Sequence, residues 1–122
     1  MKKETILGKP GAPYAKAVKS NGFLFVSGNV AVNPETGQVP EGGIKPQTRQ
    51  VLDNLKATVE SLDCSFDDVV KVNIYLVEVK DFGGMNEVYK EYFSEPPART
   101  TVGINELARP DFLIEIDLMA AL

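Results

Sequence analysis

The stretch Phe112-Leu113-Ile114-Glu115-Ile116-Asp117-Leu118-Met119 constrains this chain more than any other, because it is strongly apolar yet holds two acids in its middle. With the period of two that a β-strand imposes, Phe112, Ile114, Ile116 and Leu118 form one wholly apolar face. Leu113, Glu115, Asp117 and Met119 form the other, apolar at its ends and acidic between them. A strand that is apolar on both faces belongs in a sheet covered on both sides. Burying a carboxylate in such a place costs several kcal/mol unless it is paired or hydrogen-bonded. A fold for this chain must therefore supply two covers and a reason for the acids.

The rest of the sequence supplies one cover. Val51, Leu52, Leu55, Val59 and Leu62 recur at helical spacing and predict a helix from about Pro46 to Leu62. Pro46 suits its first position, and Asp63 ends it where glycine is commoner. A second helix is expected from Phe82 to Phe93, with Asp81 as N-cap and Phe82, Met85, Val88, Tyr89 and Tyr92 as its apolar stripe. Strands are expected at Phe23–Gly28, Asp68–Val77, Arg99–Asn105 and Phe112–Ala120, with turns at 33–37 and 41–43. The first part of the chain is β-rich, so the order reads β-β-α-β-α-β-β. This is an α+β fold in one domain over residues 1–122. Both amphipathic helices belong on one sheet face, which leaves the second face without an intrachain cover. A further copy of the chain is the expected cover, and a homo-oligomer follows.

Composition narrows the chemistry. The chain has 122 residues, no histidine and one cysteine, Cys64. Histidine triads, histidine-ligated zinc, internal disulfides and multi-cysteine metal sites are excluded. Cys64 lies in the helix-to-strand turn Asp63-Cys64-Ser65 and reads as a small filler residue. Acid–base chemistry is left to carboxylates, lysine, tyrosine or water. A net charge of −4 without a basic run disfavours nucleic acid as a partner. Apolar runs are only strand-length, which disfavours a membrane span, and residues 1–7 lack the apolar core of a signal peptide. A cytoplasmic location is expected.

Arg99 is the natural counterpart of Glu115. On its strand Arg99, Thr101 and Gly103 share one face, while Val102 and Ile104 share the other. Assigning the apolar pair to the core places Arg99 beside Glu115 on the uncovered side. Two readings stay open. The simpler is an interface ion pair. The other is a site in which Arg99 grips a planar carboxylate through two parallel N–H bonds, a geometry lysine lacks, while Glu115 handles a water or proton.

Pro97-Ala98-Arg99-Thr100-Thr101-Val102 followed by Ile114-Glu115-Ile116-Asp117 resembles the C-terminal signature of the Rid (YjgF) family of imine deaminases. Pro13-Tyr14, Phe25-Val26-Ser27-Gly28, Pro34-Glu35-Thr36-Gly37, Gln47 to Leu55, Asp68 to Val72 and Phe82 to Phe93, with Asn86 and Tyr89 in place, match in order across nearly the whole chain. The resemblance implies a chorismate-mutase-like mixed sheet with two helices on one face. Three copies would form a homotrimer around a central barrel, with active sites between subunits. It implies hydrolysis of 2-imino acids or their enamines, such as 2-iminobutanoate and 2-iminopropanoate, to 2-keto acids and ammonia, with no cofactor or metal. Such imines are released by pyridoxal-phosphate dehydratases.

On this resemblance Arg99 would hold the substrate carboxylate and Glu115 would activate water. The backbones of Gly28 and Thr101 would contact the imino nitrogen or the water, and Tyr14 and Asn86 would line the pocket. Without the resemblance, Tyr14 reads as a packing residue, Asn86 as a solvated helix position and Gly28 as a strand end. The chain departs from the family pattern at Lys16 and Asn29, where glutamine is usual, and at Thr101, which is cysteine in some relatives. The turn 106–110 carries one extra residue. The family has also been linked to RNA cleavage and to regulatory protein binding. The ribonuclease reading suits an acidic, histidine-free chain poorly.

Overall fold

The apolar strand at the end of the chain lies in the middle of the sheet. A computed structural model describes residues 2–122. Its strands are β1 (Lys3–Ile6), β2 (Ala17–Ser20), β3 (Phe23–Val30), β4 (Val69–Leu76), β5 (Ala98–Gly103) and β6 (Ile114–Ala121), in the spatial order β1-β2-β3-β6-β4-β5. The helices are α1 (Ile44–Ser61) and α2 (Phe82–Tyr89). Neighbouring strands are antiparallel except β4 and β5. That parallel pair requires a crossover, and α2 lies in it. The sheet is thus mixed, with one strand more before α1 than the sequence order suggested. β1 and β2 have four residues each and no apolar run to mark them.

One sheet face carries the core. Ile114, Ile116 and Leu118 of β6 are buried with Leu24 and Val26 of β3 and Val72, Ile74 and Leu76 of β4. Val51, Leu52, Leu55 and Val59 of α1 cover them, and α2 packs beside α1 with Met85 and Val88 inward. A buried Gln47 ties α1 to the approach to β6: its Nε2 donates to the Asp111 carbonyl at 2.8 Å, and its Oε1 accepts from the Leu113 N–H at 2.9 Å. Among the described residues no helix is long and apolar enough to cross a membrane.

The helix ends differ from expectation in detail. α1 starts two residues before Pro46, after Gly43 as N-cap. Pro46 still falls in the first turn, where backbone N–H groups have no intrahelical acceptor. Asp63 ends the helix as expected, in the left-handed region at φ 62°. The Cys64 N–H reaches back to the Val59 carbonyl at 2.9 Å and that of Asp63 to Glu60 at 3.4 Å, the paired bonds of a Schellman ending. α2 stops at Tyr89, short of Phe93, and the Tyr92 N–H bonds the Tyr89 carbonyl in a tighter turn. Phe93 nevertheless stays inside, stacked on Phe66 with ring centroids 4.8 Å apart. Asp81 makes no side-chain cap; a 3₁₀ turn over Val79–Asp81 runs straight into α2.

The face assigned to Arg99 is corrected by the register. Arg99 pairs with Val72 and Thr101 with Ile74, while Val72 pairs with Leu118 and Ile74 with Ile116. Residues paired across strands project to the same side. Arg99 and Thr101 therefore lie on the helix side. Val102 pairs with Tyr75, itself opposite Glu115, and lies on the open side, 42% exposed. Phe23 and Phe25 of β3 are also exposed, and Phe25 pairs with Met119 on that same open face.

A left-handed conformation costs most L-residues about 1–2 kcal/mol and glycine nothing. Asp63→Gly is therefore expected to stabilise the chain by about 0.5–1 kcal/mol in urea denaturation, and Asp63→Val to destabilise it. Loss of stability in Asp63→Gly would mean that the aspartate side chain itself holds the ending.

Candidate active site: two half-sites on opposite faces

Glu115 owes its position to a gap in β3. Between the pairs Val26–Leu118 and Asn29–Ile116, two residues of β3, Ser27 and Gly28, stand opposite the single Asp117 of β6. Such a bulge kinks the strand and redirects what lies beside it. The Glu115 carboxylate lies over Gly28: a Cβ there would overlap its Oε2 and sit 2.9 Å from its Cδ. Glycine at 28 is explained by this close approach. Ser27 anchors the segment before β2, with its Oγ donating to the Ala15 carbonyl at 2.6 Å and its N–H to that of Lys16 at 3.2 Å. Tyr14, 62% exposed, thereby stands at the rim of a cleft of about 680 Å³ that Lys16, Ser27, Gly28, Asn29 and Asn54 also line.

The two acids of β6 have different surroundings. Asp117 is satisfied, accepting from Asn73 Nδ2 at 2.8 Å and from Tyr75 Oη at 3.0 Å. Glu115 has no hydrogen-bond or ion-pair partner among the described residues. Burial pushes its carboxyl above the ordinary value, and the Asp117 charge adds to the shift. A carboxylate raised in this way is poised for proton transfer.

Arg99 belongs to a second group. Its guanidinium lies 4.7 Å from the Tyr89 ring centroid and 5.6 Å from that of Phe82, a cation–π cradle on α2. Asn86 lies on the same helical stripe, four residues after Phe82 and three before Tyr89. Arg99 forms no salt bridge among the described residues. Tyr89 Oη and Thr101 Oγ1 are buried without a hydrogen-bond partner, an uncommon state for buried polar atoms. Burial also raises the Tyr89 hydroxyl, and the Arg99 guanidinium beside it partly offsets that rise. β5 is an edge strand, so one side of its backbone has no strand partner.

The structure thus joins Glu115 to Gly28, with Tyr14 nearby, and Arg99 to Thr101 and the Asn86 stripe. It does not join Arg99 to Glu115. Arg99 is level with Leu118, three positions from Glu115 along β6, and β4 stands between their strands. The offset is about 10 Å along and about 10 Å across, with side chains on opposite faces. An intrachain ion pair between them is excluded. Among the described residues no three acids, histidines or cysteines lie together as a metal site. Cys64 is buried, with its thiol raised chiefly by burial, and fits the filler role. Asn73 and Tyr75 were not recognisable as partners of Asp117, since only the register brings them together. Tyr89 was recognisable as core but not as the platform under Arg99.

A family model described as endoribonuclease L-PSP matches residues 6–122. The chain is 49% identical over 113 residues to a RutC family protein of Pyrococcus horikoshii, spanning 92% of this chain and 89% of that protein. It is 39% identical over 102 residues, 83% of this chain and 80% of the other, to a protein of Dermatophagoides farinae named 2-iminobutanoate/2-iminopropanoate deaminase. The crystal structure of RidA from the Antarctic bacterium Psychrobacter sp. matches with a TM-score of 0.88 at 35% identity, over 98% of this chain and 99% of that one.

Two measurements test the Glu115 environment. A carboxyl whose pKa is raised in the folded chain favours folding while protonated, and loses that contribution as pH rises through its folded value. Glu115→Gln should therefore raise the melting temperature at neutral pH, with the gain shrinking as pH falls toward the ordinary value of 4.5. A lower melting temperature would reveal a stabilising partner for the carboxylate. Gly28→Ala should change stability by less than about 1 kcal/mol, because the flexible end of Glu115 can swing aside. It should nonetheless alter the Glu115 titration followed by carboxyl carbon NMR. An unchanged titration would show that the glycine does not set the position of the carboxylate.

Proposed function

The chain belongs to the endoribonuclease L-PSP family, which includes the Rid (YjgF) proteins, and on that premise we propose that it hydrolyses 2-imino acids such as 2-iminobutanoate and 2-iminopropanoate. The products are 2-keto acids and ammonia. The observation that carries this reading is the pair of unpartnered groups, a guanidinium cradled on α2 and a raised carboxylate over Gly28, which lie on opposite faces of one chain. Neither half is a site for a small imino acid alone. Brought together across an interface between copies, they are complementary to one.

In the proposed assembly, a homotrimer of the chorismate-mutase-like kind, the open sheet faces line a central barrel and bury Phe25, Val102 and Met119. Arg99 of one subunit holds the substrate carboxylate through two N–H bonds, with Asn86 beside it. Glu115, Gly28 and Tyr14 come from the neighbour, and the Thr101 backbone is offered at the edge of β5. The imine carbon is already electrophilic. Glu115 takes a proton from water as the oxygen bonds to that carbon, and the imine nitrogen takes a proton from solvent as the C=N double bond becomes single. Proton transfer from Glu115 to the amino group of the resulting carbinolamine lets ammonia leave as the C–N bond breaks, the C=O bond forms and the hydroxyl proton passes to solvent. This chemistry needs positioning and one acid–base group, not a metal or organic cofactor. The reading carries with it a cytoplasmic setting beside the dehydratases that release imines. An RNA-cleaving reading draws on the family description, against a net charge of −4 and the lack of histidine.

The test couples a threonine dehydratase, as imine source, to measurement of 2-keto acid release with and without this protein. Arg99→Ala and Glu115→Gln should each lower the protein-dependent rate by about 10²–10⁴-fold. Unfolding and reassembling the two inactive variants together at equal amounts should restore about a quarter of wild-type sites, those that draw Arg99 and Glu115 from different subunits. A site within one chain would gain nothing on mixing, and that result would overturn the shared-site reading.

A further inference from the structure

Asp117 plays no direct part in the proposed reaction, yet it is the most securely held acid on the open face. Asn73 and Tyr75 of β4 each donate to a different one of its carboxylate oxygens, at 2.8 and 3.0 Å. Glu115 projects from the same face two residues earlier and has no donor of its own. The groups facing it are few. β6 contributes Asp117, β4 contributes Tyr75 directly opposite and Asn73 one pair along, and β3 contributes Gly28 and Val30. Lys71, the cation of β4 on this face, pairs with Met119 beyond Asp117 and donates its Nζ to Thr100 Oγ1 at 2.8 Å. The charge of Asp117 therefore acts on Glu115 with no cation of the described residues between them.

We propose that Asp117 is a positioning residue for Glu115, a negative charge fixed by Asn73 and Tyr75 that sets the pH range in which Glu115 works as a base. The proposal rests on the deaminase reading for its consequence but not for its physics. A like charge on a neighbouring carboxylate disfavours ionisation of the group beside it. Here Asp117 is the neighbouring charge and Glu115 the group it acts on. Desolvation is the larger cause of the Glu115 shift, and Asp117 supplies the rest. Removing the Asp117 charge lowers the Glu115 value and extends activity to lower pH.

Asp117→Asn keeps the shape of the network, since its amide oxygen can accept from Asn73 while its NH₂ donates to a rotated Tyr75 hydroxyl. The acid limb of kcat/KM for 2-keto acid release should move down by about 0.5–1 pH unit in this variant. Carboxyl carbon NMR should show the same shift in the Glu115 titration. Tyr75→Phe removes one hydrogen bond but leaves the charge, so its limb and titration should stay within about 0.2 unit of wild type. An unmoved Glu115 titration in Asp117→Asn, or equal shifts in both variants, would overturn the proposal. A wild-type protein that releases no 2-keto acid would defeat the deaminase reading instead, and the NMR titration would still decide whether Asp117 governs Glu115.

Discussion

Burial of Ile114, Ile116 and Leu118 beneath α1 is the contact on which the other placements depend. Each of these side chains contributes about 1.5–3 kcal/mol on burial, so together they rival the net stability of a typical small domain. A slip of one residue in β6 would turn this row outward and bring Glu115 and Asp117 into the core. The register is therefore held firmly, and the acids are held with it. Val72, Ile74 and Leu76 of β4 join the same row and fix β5 through the parallel pairing, which in turn sends Arg99 to the helix side. The position of every candidate site residue on the sheet follows from one hydrophobic row.

The faces of β6 were readable in the sequence because that strand is central, with apolar cover on one side and a distinct pattern on the other. Asp63 was readable because helix endings depend on local backbone chemistry. The side of Arg99 was not. Val102 and Ile104 point to the core only if the core layer over β5 is aliphatic, whereas α2 presents the rings of Phe82 and Tyr89 there, which accept a guanidinium. Gly28 looked like a strand end, and its reason, the carboxylate lying over it, comes from a strand far along the chain. β1 and β2 left no signal, since short strands of mixed polarity carry little periodicity. Tyr14 and Asn86 stood out only through the family resemblance. The structure gives each an address, a cleft rim and the stripe facing Arg99.

Polar satisfaction separates the candidate site from the scaffold. Gln47 uses both ends of its amide and Asp117 both oxygens. Among the described residues, the buried side-chain atoms left without partners, Tyr89 Oη and Thr101 Oγ1, fall in one half-site, and the partly buried Glu115 in the other. Unsatisfied buried polarity lowers stability, and proteins keep it mainly where function needs it. The open sheet face fits the same account. Its exposed Phe25 and Val102 share that face with the acids Glu115 and Asp117.

Splitting the two halves between faces also resolves a problem that a site within one chain would meet. An arginine and a glutamate within reach of each other would form a bidentate pair. The fork would then be occupied before any substrate carboxylate arrived, and the carboxylate would be held well below its ordinary value, too weak a base to draw a proton from water. Within one chain the sheet itself keeps them apart, and there Glu115 is raised and Arg99 forms no salt bridge among the described residues. On the proposed reading, a second subunit brings them to a separation set by packed backbone rather than by side-chain rotamers. On that same reading, a substrate negative at one end and electrophilic at the other fills the space between the cation and the base.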